Sequence, residues 1–341
     1  MLTSPTDVDA RPDVDARPDV AKDDRPAYRP FSVQVANIQQ LSPHFLRMTF
    51  TGPDVRWFGT DRQDQRIKVL IPDEDGRVSE VGADDPETIL AGTWYETWRA
   101  LPEEGRSPFR TYTVRDVRPE AGEFDVDMVA HGDAGPASRW LARVQVGDRL
   151  VVVGPDARSR DSAVGADWAP GTATELLLAG DETAAPAICS ILETLPAGRT
   201  ARAFIEVPTA ADALEVEVHD GVRITWLARD EHDHGHLLVP AVSAWVQANA
   251  AVVGDVLAVV PQTMDDVDVD SELLWDSPVL QVQAIDSCGR GERCGSDFYA
   301  WFAGEASVIK TLRRILVTDV GVCRRRVAFM GYWRQGRAEG Q

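Results

Sequence analysis

The stretch "SPFRTYTVRDV", residues 107–117, reads as a strand with an unusual face. Strict alternation puts Arg110 and Tyr112 on one side and Thr111 and Thr113 on the other. Arg115 falls out of that register and needs a bulge or an end-of-strand reach to join them. A half-buried strand normally turns one face into the core. A guanidinium beside a phenol instead suits something flat and anionic, with the cation pairing to phosphate and the ring stacking on a ring. The plainer alternative is an edge strand with solvated arginines and a stacked tyrosine.

The flanking sequence is a succession of short alternating runs. "FSVQVANIQQL" (31–41), "FLRMTFTG" (45–52) and "QRIKVLIP" (65–72) precede it, with a polar, Pro- and Gly-containing connection to about Glu104. "GEFDVDMVAHG" (122–132) and "DRLVVVGP" (148–155) follow, and Gly and Pro separate the runs. One short helix fits this half, "PASRWLARV" (136–144). The expectation is an antiparallel β-barrel closed by that helix.

After Pro155 a loose, charged stretch, "DARSRDSAVGADWAPG" (156–171), marks a domain junction. The character then changes to α/β. "TELLLAG" (174–180), "ARAFIEV" (201–207), "VRITWLAR" (222–229), "DVLAVV" (255–260) and "SPVLQVQAI" (277–285) read as strands. "ETAAPAICSILETLP" (182–196), "HLLVPAVSAWVQ" (236–247) and part of "FYAWFAGEASVIKTLRRILV" (298–317) read as helices. Strands alternating with helices imply a parallel sheet. The expected organisation is a disordered tail over 1–25, where the hexamer DARPDV repeats, a barrel domain over 26–165, an α/β domain over 166–325, and a C-terminal segment over 326–341.

Composition narrows the class. Acidic residues number 55 and basic residues 35 among 341, a formal charge of −20, which disfavours nucleic acid and anionic membrane surfaces. No apolar run has the length of a membrane span, and the N-terminus lacks a signal-peptide pattern, so a cytoplasmic protein is expected. A monomer is the simplest oligomeric expectation. Cys189, Cys288, Cys294 and Cys323 form neither a disulfide framework nor a CxxC cluster, although Cys288 and Cys294 flank a Gly-rich turn. From Lys310 to Arg337 eight basic residues face one acid, Asp319, which leaves room for an anionic ligand.

Other stretches bear on a ligand. "VAHGDAGPAS" (129–138) ends a strand at His131 and Gly132, then turns through Gly135 and Pro136 into a helix holding Ala137 and Ser138. Unpaired amides at such a start attract phosphate. His131 reads equally as an adenine or ribose contact or as a polar strand end. "LLLAGDETAAPAI" (176–188) sets Asp181, Glu182 and Thr183 at the carboxyl end of an apolar strand, where open parallel sheets bind ligands. In "YAWFAGEAS" (299–307), Trp301 and Glu305 precede or open a helix, to close over a nicotinamide or to cap and staple. "FMGYWRQGR" (329–337) ends with Tyr332 and Trp333 beside Arg334 as a docking group. "DEHDHGH" (230–236) reads as a solvated loop rather than a metal site, and no metal is expected. HExxH and GxSxG are absent, so nothing supports a hydrolase.

Taken in order, "RTYTVRD", "DVDMVAHGDAGPASRW", "GDRLVVVGP", "LLLAGDETAAPAI", "WFAGEAS" and "GYWRQGRAE" resemble the siderophore-interacting proteins, FAD-dependent ferric-siderophore reductases of the ferredoxin-reductase-like flavoproteins. The resemblance covers about 30–337. It implies an FAD-binding barrel followed by an NAD(P)H-binding-like α/β domain. It implies that Arg110, Tyr112 and Thr113 hold the flavin and its phosphate with help from Arg115, that His131 and Gly132 lie along the FAD, and that Gly135, Pro136, Ala137 and Ser138 take the pyrophosphate. Asp181, Glu182 and Thr183 match the loop facing the nicotinamide, Trp301 and Glu305 the late helix start, and Tyr332 and Trp333 a segment near the flavin. Lys68 matches a strand lysine of the family and is grouped with Lys310, Arg313 and Arg334 as substrate-binding. The implied chemistry is hydride transfer from NADH or NADPH to FAD and reduction of a ferric siderophore, with ferredoxin as a variant donor. Arg202 argues for NADPH and Glu206 against it. The region 262–297 and the acidic, histidine-rich 230–236 depart from the family pattern, which bears on donor and substrate entry more than on FAD. The rivals are a reductase of free flavin or of an electron carrier, and a non-catalytic siderophore-binding protein.

Overall fold

The computed structural model describes residues 20–60, 62–130, 135–254, 257–258, 262, 267, 269, 274–278 and 297–336. His131, Gly132, Cys288, Cys294 and most of the strands expected at 255–260 and 277–285 lie outside these residues.

The N-terminal half is one antiparallel sheet. Its strands are β1 (Tyr28–Ser42), β2 (Phe45–Thr51), β3 (Arg66–Leu70), β4 (Phe109–Thr113), β5 (Asp116–Arg118), β6 (Glu123–Val129) and β7 (Arg149–Pro155), in the spatial order β4-β3-β7-β1-β2-β6-β5. β4 and β5 are opposite edges of that order, yet only Val114 and Arg115 separate them in sequence. Two residues span about 10 Å at most, so the sheet must curl until its edges approach. The Arg115 N–H, donating to the Asp125 carbonyl at 2.8 Å, fastens that corner. The result is a half-barrel. Alternate residues of its strands, among them Phe31, Val33, Met48, Phe50, Ile67, Val69, Phe124 and Val126, fill it. Helix α3 (Pro136–Leu141) closes one end with Trp140 and Leu141, which belong to the same core.

Three expectations for this half are corrected. The connection between β3 and β4 holds two short helices, α1 (Pro86–Ala91) and α2 (Trp94–Ala100). The signal was present: Asp85 caps the amides of Glu87 and Thr88, Pro86 occupies the first turn, and Gly92 ends α1 at φ 70°. The tail is docked from about Lys22, whose Nζ donates to Ser162 Oγ at 3.0 Å, while the Asp23 N–H donates to the Arg158 carbonyl at 2.8 Å. Nor is the junction loose. Asp156, 1% exposed, pairs with Arg29 at 3.2 Å and with Arg158 at 2.7 Å.

The second half is a six-stranded sheet in the order β10-β9-β8-β12-β13-β11. β8 (Glu175–Gly180), β9 (Thr200–Val207), β10 (Val222–Ala228), β12 (Phe298–Glu305) and β13 (Val327–Trp333) run parallel, and β11 (Trp275–Asp276) is antiparallel to β13. Both faces are covered, so the strands are apolar at successive positions rather than at alternate ones. Leu176 and Leu178 pack with α4 (Ala185–Glu193) on one face. Leu177 and Ala179 pack with α5 (Leu238–Ala248) and α7 (Ala306–Arg313) on the other, and α6 (Ala250–Gly254) follows α5. Residues 327–333, expected as a separate segment, form a strand of this sheet. No helix among the described residues is long and apolar enough to cross a membrane.

Phe45 of β2 belongs to the α4-side core, so the half-barrel leans on that face. Polar contacts reinforce the seam. The buried Asp212 carboxylate accepts from Ser42 Oγ at 2.8 Å and from the His44 amide at 2.9 Å. Arg66 pairs with Asp167 at 3.0 Å and lies 4.4 Å over the Trp275 ring.

Candidate functional site

β4 pairs with β3 so that Tyr112 lies opposite Ile67, Thr113 opposite Arg66 and Thr111 opposite Lys68. Tyr112 is half-buried against the half-barrel core, and Ala137 at the start of α3 leans on the same core. The phenol strand and the helix start therefore border the same half-barrel core. Arg110 is half-buried, with Nη1 donating to the Phe109 carbonyl at 2.8 Å. Thr113 is 6% exposed. No side chain caps α3, Pro136 stands in its first turn, and a Cβ added to Gly135 would meet nothing within 4 Å among the described residues. Among the described residues, an uncapped helix start, a cation and a half-buried phenol fit the phosphates and flat ring of an FAD.

Arg115 departs from its expected role. It is buried, forms a bidentate pair with Glu193 of α4, and has Nε 3.3 Å from Asp127 Oδ2. Between two carboxylates it is a domain bridge and is not presented to a phosphate. Its misfit with the Arg110–Tyr112 register was the clue.

A second cluster gathers at the carboxyl ends of the parallel strands. Asp181 is buried and accepts from Thr183 N at 2.9 Å, Thr183 Oγ1 at 2.6 Å, Glu305 N at 2.7 Å and Trp333 Nε1 at 2.8 Å. Burial, then the neighbouring Glu182 charge, push its carboxyl up to about 7. Glu182, fully buried, holds Arg229 through two bonds of 2.6 Å. The His234 ring meets Trp333 edge-on at 4.8 Å, and burial lowers its pKa. The 230–236 stretch is thus only partly a solvated loop: His232 and His236 are exposed, while His234 turns inward. Ligand atoms of Asp181, Glu182 and His234 lie within 4.8 Å of one another, but both carboxylates are engaged as described.

Two helix starts at this edge are capped from within. Glu206 accepts from Gly235 N at 2.7 Å and from Leu237 N and Leu238 N at 3.0 Å, at the start of α5. Glu305 accepts from Ser307 N at 2.8 Å and Val308 N at 3.1 Å, at the start of α7. Glu206 is therefore a cap rather than a ribose-reading acid, and of the two sequence readings of Glu305 it is the cap that forms.

Trp301 is also relocated. It sits inside β12, fully buried, with Nε1 donating to Asp64 Oδ2 at 2.9 Å. Tyr332 stacks on Trp275 at 5.8 Å and meets Trp301 edge-on at 6.2 Å, so it belongs to the domain seam. Sequence reasoning missed Arg66, Asp64 and Trp275 here, because none forms a local pattern with its partners. Among the expected substrate cations, Arg313 is 7% exposed and pairs with Asp276 at 3.2 Å, which removes it from any substrate surface. Arg334 Nη1 donates to the Val269 carbonyl at 2.9 Å, Lys310 is half-buried on α7, and Lys68 Nζ donates to Thr111 Oγ1 at 3.3 Å.

Fold and site together define a two-domain, FAD-binding architecture of the ferredoxin-reductase type. Residues 34–159 match the siderophore-interacting FAD-binding domain and residues 173–336 match the siderophore-interacting protein domain. The chain belongs to the siderophore-interacting protein family. It is 26% identical over 300 residues to the ferric vibriobactin reductase ViuB of Vibrio cholerae, covering 88% of this chain and 87% of that protein. An uncharacterized Mycobacterium tuberculosis protein is 35% identical over 198 residues, 58% of this chain, and the match spans 64% of that relative's length, less than two thirds. The crystal structure of a siderophore utilization protein from T. fusca superposes with a TM-score of 0.64 at 26% identity, covering 93% of this chain and 97% of that one.

Proposed function

We propose that the chain is an FAD-dependent reductase that accepts a ferric siderophore and releases Fe(II), drawing electrons from NADH or NADPH or from a ferredoxin. One observation carries the reading: the strand holding Arg110, Tyr112 and Thr113 and the uncapped start of α3 both border the half-barrel core. Similarity to a ferric vibriobactin reductase along most of both chains supports the choice of substrate class.

In this reading Arg110 neutralises a phosphate of the FAD, Tyr112 gives its ring a flat face, and Thr113 offers a hydroxyl at the strand end. The Ala137 and Ser138 amides take the pyrophosphate, with Gly135 and Pro136 keeping the approach clear. When bound, FAD supplies hydride acceptance and single-electron donation, so the chain needs no acid, base or nucleophile of its own. Tyr332 at the seam keeps water from the space between the domains, while Asp181 fixes the neighbouring Trp333. Lys68 and Arg334 draw an anionic chelate towards the flavin strand.

For the donor, one observation favours ferredoxin. Glu206 and Glu305 cap the amides at two helix starts of this edge, which leaves fewer donors for a dinucleotide's phosphates. Thr183 and Asp181 bond to each other at the remaining loop.

The test is a visible spectrum of the purified protein, repeated anaerobically with NADH, NADPH or reduced ferredoxin and then with a ferric siderophore and an Fe(II) trap. A flavin band that bleaches with a donor and returns with the chelate as Fe(II) appears is expected. Reoxidation by free flavin but not by the chelate would favour the flavin-reductase rival. A protein that cannot be loaded with FAD yet binds the chelate would replace the reading with non-catalytic binding.

A further inference from the structure

The β3–β4 connection builds a feature that the flavin strand does not require. Tyr95 and Trp98 of α2 stack at 5.7 Å with planes 20° apart. Trp98 continues onto Phe109 of β4 at 4.7 Å. Cations sit on the ring faces: the Arg106 guanidinium lies 4.4 Å over Trp98, and the Lys68 ammonium 4.5 Å over Phe109. The parts are held in place. Trp98 Nε1 donates to the Ser107 carbonyl at 2.8 Å, Arg106 Nη1 to the Arg99 carbonyl at 3.3 Å, and Lys68 Nζ to Thr111 Oγ1 at 3.3 Å.

The ladder has a direction. Its outer end is Tyr95, 42% exposed, and its inner end is Phe109, the residue before Arg110. Packing on Leu70 and Val151 accounts for Trp98 and Phe109 as a minor core. That packing explains neither the exposed phenol ring at the outer end nor two cations placed on aromatic faces. Rings interleaved with cations present two affinities at once: a flat π-surface for an aryl group and positive charge for an anion.

Ferric chelates differ in both properties. Three catecholate dianions around Fe(III) leave a trianion with aryl rings at its periphery. Three hydroxamate monoanions leave a neutral complex with no ring. We propose that Tyr95, Trp98 and Phe109, with Lys68 and Arg106, form a docking platform that selects aryl-bearing, anionic ferric chelates over hydroxamate ones. The inference rests on the ferric-siderophore reading and assigns its substrate class.

The test uses the full chain loaded with FAD and two probes, iron(III) tris(catecholate) and iron(III) tris(acetohydroxamate). Equilibrium dialysis of the oxidised protein gives the two Kd values and their ratio. The catecholate probe should bind at least about tenfold more tightly. Tyr95→Ala should cut that ratio about fivefold, and Arg106→Gln about threefold with a weaker dependence on salt. Trp98→Phe, which keeps a ring in the ladder, should retain most of the preference and checks that the effect is not general misfolding. Equal affinity for the two probes, or a ratio unchanged in Tyr95→Ala, overturns the platform. Turnover separates this from the parent reading. Ring-dependent binding without reduction by any donor leaves the platform standing and removes the reductase. Reduction of both probes at the same kcat/KM in parent and Tyr95→Ala removes the platform and leaves the reductase.

Discussion

The Trp301 indole donates to Asp64 Oδ2 at 2.9 Å, and this one bond ties an inner strand of the α/β sheet to a loop of the half-barrel. Both side chains are out of solvent, and Asp64 Oδ1 has no hydrogen-bond partner among the described residues. Burial pushes the Asp64 carboxyl up to about 6. Trp301→Phe keeps a ring in the core but removes the donor and part of the indole's volume. The expected cost is at least about 1–3 kcal/mol, the usual consequence of leaving a buried polar group short of a partner, with the small cavity adding to it. Urea unfolding measures it, and a midpoint equal to the parent's would show that the seam does not depend on this bond.

Arg115 makes a different kind of bridge. Its guanidinium joins Glu193 of α4 to Asp127 of β6, and Asp127 also holds Arg47 at 2.7 Å. Arg115→Ala leaves two carboxylates at a desolvated seam with one cation instead of two. Breaking this part-buried pair costs up to about 3–5 kcal/mol, the range for fully buried pairs. The double variant Arg115→Met/Glu193→Leu should recover much of that loss, because it removes the stranded Glu193 charge. A double variant as unstable as the single one would contradict the bridge assignment.

Gly135 separates a cofactor effect from a folding effect. Its φ of 169° is extended backbone open to any residue, and a Cβ there meets nothing within 4 Å among the described residues. Gly135→Val should therefore change the stability of the flavin-free protein by no more than about 0.5 kcal/mol. If a pyrophosphate lies against the amides of α3, the same substitution should weaken FAD binding tenfold or more. Fluorescence titration of flavin-free protein with FAD reads this directly. Unchanged affinity would move the pyrophosphate elsewhere.

How much of this was legible in the sequence depended on the range of the interaction. The order of strands and helices was readable because periodicity and turn residues are local, and so was the strand carrying Arg110 and Tyr112. Asp85, Pro86 and Gly92 bounded α1 just as locally, but the polar connection around them concealed a helix whose residues are not buried. The partners of Arg115, Trp301 and Arg313 were not readable. Glu193 is 78 residues from Arg115, and Asp64 is 237 from Trp301. A buried cation paired across a seam looks, in sequence, the same as one waiting for an anionic ligand. Glu206 and Glu305 were ambiguous in the same way, since a carboxylate at a strand end serves equally as a ligand contact or as a helix cap.

Asp181 yields a pH dependence whose sign can be worked out. Four donors reach its carboxylate, which favours ionisation, yet burial and then the Glu182 charge lift its pKa from 3.8 to about 7. A folded-state value above the unfolded one means that the folded chain keeps a proton the unfolded chain has released. Stability from this group is fully present below about pH 4 and is lost as pH rises through about 7. Asp181→Asn cannot titrate, and its single carbonyl cannot serve donors that reach both oxygens, so it should be less stable than the parent at pH 5. The gap should narrow towards pH 8, by about 1.4 kcal/mol per pH unit at most. Urea midpoints of both proteins at pH 5, 6, 7 and 8 give the comparison, with the other acids cancelling in the difference. A gap that stays constant or widens with pH would mean that the four donors outweigh burial and keep Asp181 ionised throughout. Trp333 would then be anchored by a permanent charge rather than by a carboxyl that changes state near neutrality.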